Sequence, residues 1–205
     1  MKRKAEKINL EDKSKSQEIF LPTISRVWNM PSANTFSIPS IKKLILKYIV
    51  KGQNNIDPFS NDSCFKDSLR YTNDINNTYD CTHHMDALDF LQTFDDASVD
   101  CILFDPPYST HQIKSVYDGF GDERPMKQYT RYCLEMVRIS KIGTYVICFG
   151  WNSTGIPKTM NRDIYGNKMA KGQKFKTGFV PVEYLLVNHS GNHNDTIVTV
   201  CKKIK

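Results

Sequence analysis

The stretch Val99–Tyr108, VDCILFDPPY, gives the clearest indication of the fold. Its first six residues are apolar apart from Asp100, which is typical of a strand inside a parallel sheet. Two prolines then follow Asp105. They end the strand, because neither proline has a backbone N–H and both have a fixed φ. The stretch therefore predicts a buried strand over Val99–Phe104 and a rigid turn at Asp105–Tyr108.

Short apolar segments alternate with helical patterns on both sides of this stretch. Strands are predicted at Asn55–Phe59, Tyr71–Ile75, Tyr79–His84, Val99–Phe104 and Thr144–Phe149, with a hairpin formed by Phe179–Asn188 and Thr196–Lys202. Helices are predicted at Ile41–Val50, Cys64–Arg70, Asp86–Phe94 and Met126–Ile139, and an ordered loop at Arg26–Ser40. This alternation predicts an α/β fold with a mostly parallel sheet of about seven strands and helices on both faces. The C-terminal hairpin would supply an antiparallel edge.

Polar residues follow the predicted strands directly. They are Asp57-Pro58-Phe59, Asp74, Asp86 and Asp105–Tyr108. Ligands bind beyond the carboxyl ends of the strands in such sheets, so these residues are candidates for one site. The Asp105 carboxylate, the Pro106 carbonyl and the Tyr108 ring would suit a planar exocyclic amine, with two acceptors for its N–H bonds and a surface for stacking.

Composition limits the class of protein. The 205 residues, 40% of them apolar, suit a charged, mobile arm at residues 1–20 and a single domain at 21–205. No apolar run approaches the roughly 20 residues of a membrane-spanning helix, and the first residues lack the apolar core of a signal peptide. The protein is therefore expected in the cytoplasm. Its six cysteines include no CxxC pair, so free thiols and no metal site are expected.

Positive charge is concentrated in one stretch, Trp151–Gly178, which we call the basic segment. The whole chain has a formal net charge of +6. The basic residues of this segment are Lys158, Arg162, Lys168, Lys171, Lys174 and Lys176, against the single acid Asp163. The segment also contains the aromatic residues Trp151, Tyr165 and Phe175. This combination favours contacts to nucleic-acid phosphates, although a solvated surface loop would have a similar composition.

The order of these motifs resembles a known family. Asp105–Tyr108 behind an apolar strand, with Asp57-Pro58-Phe59 upstream, is similar to the S-adenosylmethionine-dependent amino-methyltransferases of DNA, the adenine-N6 type. Asp74 and Asp86 resemble the family's acidic positions after the second and third strands, and the segment 34–39 resembles the one that closes over the cofactor. The resemblance implies a Rossmann-like class I methyltransferase fold.

The resemblance also implies roles for particular residues. Cofactor contacts are expected from Phe36, Ser37, Ile38, Asp57, Pro58, Phe59, Asp74, Asp86, Ala87 and Asp105, and catalysis at Asp105, Pro106, Pro107 and Tyr108. Other interpretations remain for some of these positions. Asp74 would also serve as a turn residue, Asp86 as a helix N-cap, and Phe36 and Phe59 as core residues.

One departure from the family pattern concerns the loop after Asp57. The family usually has glycines there, which let the backbone approach the cofactor, whereas this chain has Ser60-Asn61-Asp62-Ser63. Asn tolerates positive φ better than most residues, so Asn61 is predicted to adopt it in place of a glycine.

The activity that the resemblance implies is methyl transfer from S-adenosylmethionine to the N6 amino group of adenine in DNA. The chain has no room for a separate target-recognition domain, so DNA would be held by Ser109–Pro125, by the basic segment, or by a partner subunit, while Tyr108 would stack on the target base. Two alternatives stay open: methylation of RNA bases at adenine N6 or guanine N2, and a catalytically silent subunit that binds the cofactor or nucleic acid. The motif at Asp105–Tyr108 does not distinguish adenine from guanine, or DNA from RNA.

Overall fold

Nine strands and three α-helices form the part of the chain that the computed structural model describes, residues 21–107, 124–151, 155–191 and 193–205. The strands are β1 (Thr23–Trp28), β2 (Asn55–Asp57), β3 (Tyr71–Thr72), β4 (Val99–Phe104), β5 (Ser140–Gly150), β6 (Thr159–Met160), β7 (Phe175–Lys176), β8 (Phe179–Asn188) and β9 (Thr196–Lys203). The helices are α1 (Pro39–Ile45), α2 (Ala87–Gln92) and α3 (Arg124–Ile139), with short 3-10 turns at Thr35–Ser37 and Lys66–Ser68. The predicted arm at 1–20, Tyr108 and residues 109–123 lie outside the described residues.

Seven strands form one sheet in the order β1-β8-β9-β5-β4-β2-β3. Every neighbouring pair is parallel except those made by β9, which runs antiparallel to both β5 and β8. The chain moves outward from β2 to β3 and then returns to the other side of β2 to form β4. Strand order therefore reverses between β2 and β4, which is where α/β sheets bind ligands. The predicted fold class, a mostly parallel Rossmann-like sheet, is confirmed.

Each face of the sheet carries its own apolar core. Successive residues of β4 point into different cores. Leu103 is buried in the core on the α1 face, and Phe104 is buried in the core on the face covered by α2 and α3. This alternation follows from the two-residue period of a strand. Because both faces are covered, β4 can be apolar along nearly its whole length.

The N-terminal edge of the sheet differs from the prediction. Thr23–Trp28 forms β1, paired in parallel with β8, so the predicted loop at Arg26–Ser40 begins inside a strand. The antiparallel hairpin lies at this end of the sheet, but β1 covers it as the outermost strand. The alternate exposed side chains of β1 give little apolar signal, and pairing with β8 provides its backbone hydrogen bonds.

Several predicted elements are shorter in the structure. The strands β2 and β3 end at Asp57 and Thr72, and the helix predicted at Cys64–Arg70 is only the 3-10 turn Lys66–Ser68. Tyr79–His84 forms no strand, and its link to the sheet is an isolated parallel bridge between Asn73 and His83. The helix predicted at Ile41–Val50 is α1, which begins earlier, at Pro39, and ends at Ile45. The helix predicted from Asp86 is confirmed as α2, and the Asp86 carboxylate accepts the Leu88 N–H at 2.8 Å.

Part of the basic segment forms a small two-stranded sheet, β6 with β7. It is attached to the body of the protein by the buried side chains of Ile156 and Met160 and by Phe175, which packs on the α2–α3 core. Within the described residues, no helix is long and apolar enough to span a membrane.

We expect Gly178→Ala to destabilise the protein more than Gly172→Ala. Both glycines have positive φ, 76° and 83°, so each substitution costs about 1–2 kcal/mol in backbone strain. A Cβ at Gly178 would also lie 2.2 Å from the Lys205 carbonyl oxygen, whereas nothing lies within 4 Å at Gly172. Urea unfolding would measure both free energies. Equal losses in the two variants would contradict the steric contribution.

Candidate active site

An open cleft of about 180 Å³ lies at the carboxyl ends of β2, β4 and β5. It is lined by residues from four parts of the chain: the segment before α1, the loop after β2, the turn after β4, and the adjoining ends of β5 and β9. These residues are Ala33, Asn34, Thr35, Phe36, Phe59, Ser60, Asn61, Asp62, Asp105, Pro106, Pro107, Phe149, Gly150, Trp151 and Thr196. The cleft is at the position predicted from strand order.

Asp57 ends β2 and is fully buried, and neither it nor Pro58 lines the cleft, which begins at Phe59 in this loop. Its Oδ1 accepts the Phe59 N–H at 3.0 Å, whereas its Oδ2 has no hydrogen-bond partner among the described residues. Burial raises the pKa of the Asp57 carboxyl well above its ordinary value, against the effect of the Phe59 N–H, and the carboxylates of Asp105 and Asp74 raise it further. The hydroxyl of Ser60 is likewise buried, with no partner among the described residues.

The loop after β2 is held by the neighbouring carboxylate of Asp74. Asn61 has a φ of 44°, which confirms the prediction that it takes the left-handed conformation of a glycine. Its N–H donates to Asp74 Oδ2 at 3.1 Å, and Asp74 Oδ1 accepts the Asn76 N–H at 2.9 Å. Asp74 is therefore buried between two loops, and it does not line the cleft.

The segment before α1 covers one side of the cleft. Asn34 donates its side-chain N–H to the Asp62 carbonyl at 2.6 Å, which ties this segment to the loop after β2. Phe36 is buried against Phe149 at 4.9 Å between ring centroids and still contributes to the cleft wall. Ile38 belongs to the core on the α1 face, and Ser37 is exposed, so neither lines the cleft.

The turn after β4 stands at the centre of the cleft. Asp105 is half-buried, and both prolines after it line the cleft. Phe59 supports this turn from below, because its ring packs on Phe104 at 5.8 Å and on Tyr132 at 5.7 Å. A carboxylate on a proline-restricted turn over packed aromatic rings has little freedom to move.

The remaining predicted residues are farther from the cleft. Asp86 caps α2, and Ala87 is buried in the core. All six basic side chains of the basic segment are exposed. This segment meets the cleft at Trp151, whose side chain is 43% exposed.

Phe149, Gly150 and Thr196 also line the cleft, which was not predicted from the sequence. Gly150 pairs with Ile197, so the start of β9 lies at the same edge of the sheet as the carboxyl end of β5. The predicted hairpin was a signal for this, because the antiparallel strand of a mostly parallel sheet begins where the others end. Among the described residues, no group of histidine, cysteine and acidic side chains could hold a metal ion.

Comparison with known proteins gives distant structural likenesses. No protein-family model matches the sequence, and no curated protein sequence matches it. A putative type 11 methyltransferase from Sulfolobus solfataricus is 17% identical over 82% of this chain and 92% of its own, with a TM-score of 0.42. A SAM-dependent methyltransferase from Methanosarcina mazei is 15% identical over 78% and 97%, with a TM-score of 0.45.

A further solved structure, a putative DNA modification methylase from Thermus thermophilus, is 14% identical over 58% of this chain and 52% of its own, with a TM-score of 0.33. At these identities and scores, the likenesses are too distant to assign a ligand or a reaction to this chain.

We expect Asp57→Asn to stabilise the ligand-free protein at neutral pH. An acid whose pKa is raised in the folded state binds its proton more tightly there than in the unfolded chain. The protonated Asp57 carboxyl therefore stabilises the folded state below about pH 4, and this stabilisation is lost as the pH rises toward the folded-state pKa. Asn cannot ionise, so the variant should gain stability relative to the wild type progressively as the pH rises above about 4.

Urea unfolding at several pH values would test this prediction, with Asp80→Asn as the matched control because the Asp80 side chain is 97% exposed. A difference between Asp57→Asn and wild type that does not change with pH would contradict it.

Proposed function

We propose that this protein is an S-adenosylmethionine-dependent methyltransferase that acts on the N6 amino group of adenine in DNA. The observation that carries the proposal is the position of Asp105, Pro106 and Pro107 in the same cleft as the loop after β2. A pair of oxygen acceptors on a rigid turn suits an amino group. The loop after β2, beside this turn, has buried polar atoms to which a ligand would supply hydrogen-bond partners.

Cofactor binding is supported by the buried polar atoms at the end of β2. Asp57 Oδ2 and Ser60 Oγ have no partner among the described residues, and leaving such atoms unsatisfied costs about 1–3 kcal/mol each. A ligand with ammonium and hydroxyl groups would satisfy them. The carboxylates of Asp57, Asp74 and Asp105 influence one another, so the site also favours a cation. S-adenosylmethionine fits both conditions and supplies an electrophilic methyl group when bound.

The turn after β4 would prepare the acceptor nitrogen. An aromatic amine is a weak nucleophile because its lone pair is delocalised into the ring. The Asp105 carboxylate and the Pro106 carbonyl would each accept a hydrogen bond from one N–H group of this amine. These two hydrogen bonds would favour a pyramidal nitrogen and direct its lone pair toward the methyl group. The same two oxygens would stabilise the positive charge that develops on the nitrogen, and the excess proton would then pass to Asp105 or to solvent.

Contact with the DNA backbone is assigned to the basic segment. Asp163, its one acid, accepts hydrogen bonds within the segment, from the backbone N–H groups of Tyr165 and Asn167 at 3.0 and 2.8 Å. Among the described residues, Asp163 forms no ion pair with the six exposed basic side chains, which favours their contact with phosphates. The target base would have to leave the duplex to reach the cleft.

We expect Asp105→Ala to lose methyl transfer by at least about 100-fold while its affinity for S-adenosylmethionine changes only a few-fold. Radiolabelled cofactor, incubated separately with DNA, RNA and protein, would measure the transfer, and digestion of the product would identify the methylated base. Asp80→Asn is the matched control, because that carboxylate is exposed. An active Asp105→Ala variant would refute the role of this carboxylate, and label in RNA or protein alone would refute the substrate.

We expect the triple variant Lys158→Gln, Lys168→Gln, Lys171→Gln to bind DNA with a weaker dependence on salt. Each phosphate contact that is lost should reduce the slope of log affinity against log salt by about 0.9. Lys174 is left intact because its Nζ donates to Asn161 Oδ1 and so supports the fold of the segment.

The matched control for this triple variant removes the same charge from Lys42, Lys43 and Lys51, which are also exposed but lie outside the basic segment. Fluorescence anisotropy at several salt concentrations would give the slopes. Equal slopes in the two triple variants would show that the basic segment has no special contact with DNA.

A further inference from the structure

Thr196 lies in the cleft on the side opposite the loop after β2. The strands whose ends form the cleft are ordered β9-β5-β4-β2, so Thr196, at the start of β9, and Asp57, at the end of β2, are separated by the ends of β5 and β4. Asp105 follows β4 and stands between them. If the cofactor occupies the β2 side, as proposed above, Thr196 faces the part of the cleft left for the methyl acceptor.

The hydroxyl of Thr196 is oriented by His189. The Nδ1 of His189 lies 2.9 Å from the Asn29 carbonyl oxygen, and its Nε2 lies 3.0 Å from Thr196 Oγ1. A carbonyl oxygen only accepts hydrogen bonds, so Nδ1 carries a proton, and in this tautomer Nε2 is the acceptor. Thr196 therefore donates its hydroxyl proton to His189, and the lone pairs of Oγ1 remain available as acceptors.

The position of the His189 ring is itself well determined. Its backbone N–H donates to Asp195 Oδ1 at 3.1 Å, and Asp195 Oδ2 accepts from the side chain of Asn188. The backbone N–H of Asn29 donates to the Asn188 carbonyl at 3.1 Å, which holds the end of β1 against the end of β8. The turn between β8 and β9 thus fixes the imidazole before any substrate binds.

We propose that Thr196 is a specificity-determining residue for the methyl acceptor, and that His189 is its positioning residue. Because the hydroxyl proton is held by His189, Thr196 accepts a hydrogen bond from an N–H or O–H group of the nucleic-acid substrate and disfavours a substrate atom that can only accept. The proposal rests on the function proposed above, since that function places the methyl acceptor on this side of the cleft.

The test measures the affinity for an oligonucleotide substrate and its KM separately from the affinity for cofactor. We expect Thr196→Val, which keeps the shape of the side chain and removes the hydroxyl, to raise the dissociation constant and KM of the oligonucleotide about three- to tenfold. The affinity for S-adenosylmethionine and the thermal stability should stay near wild type. Thr196→Ser should restore oligonucleotide binding, because it keeps the hydroxyl.

His189→Asn tests the positioning role. Asparagine is too short to reach Thr196, but it can still donate to the Asn29 carbonyl and preserve the turn. We expect it to weaken oligonucleotide binding less than Thr196→Val does, and we expect no further effect when the two substitutions are combined, because His189 acts only through Thr196. Independent, additive effects would overturn the link between these two residues.

Failure of this inference is distinguishable from failure of the proposed function. Unchanged oligonucleotide binding and KM in Thr196→Val, with an active wild type, would overturn the inference alone, and parallel losses of cofactor affinity and thermal stability would also overturn it by indicating a structural role. A wild type that binds oligonucleotide but transfers no methyl group would overturn the proposed reaction, while the binding measurements on Thr196→Val would still decide the role of Thr196.

Discussion

A buried carboxylate at the end of β2 constrains the rest of the site. Asp57 is removed from water, has one oxygen satisfied by the Phe59 N–H, and lies within the influence of two other carboxylates. Burial of a charged group in this way is unfavourable unless a complementary group arrives. The backbone of the loop after β2 is held by hydrogen bonds, whereas two of its buried side-chain oxygens have no partner among the described residues. A ligand that supplied those hydrogen bonds would stabilise the protein.

Contacts with the surrounding loops hold the loop after β2 in place. Asp74 accepts N–H groups from the loops after β2 and β3, so its charge is used to hold backbone rather than to line the cleft. The aromatic packing of Phe59 on Phe104 joins the loop after β2 to the strand that precedes Asp105. Asp57 and Asp105 are thus held relative to each other by the core, which is what positioning of two reactants requires.

Several features were predicted from local sequence because local physics determines them. The apolar run and double proline at Val99–Tyr108 predicted β4 and its end, and the acid at Asp86 predicted the N-terminus of α2. The positive φ of Asn61 was expected from the family resemblance and from the tolerance of asparagine for that conformation. Features stabilised by distant partners were not predicted. The weakly apolar β1 depends on β8 for its hydrogen bonds, and Tyr79–His84, although similar in pattern to a strand, makes only one bridge.

The alternation of strands and helices, the residues that follow each strand and the charge of the basic segment could be predicted from the sequence alone, because they depend on the order and type of neighbouring residues. Which of the acids predicted as site residues faces the cleft depends instead on how the loops pack together. Asp105 lines it, whereas Asp74 and Asp86 are used by backbone N–H groups. The position of Thr196 beside the carboxyl end of β5 also depends on the tertiary structure, because it arises from pairing between β5 and β9, which are distant in the chain.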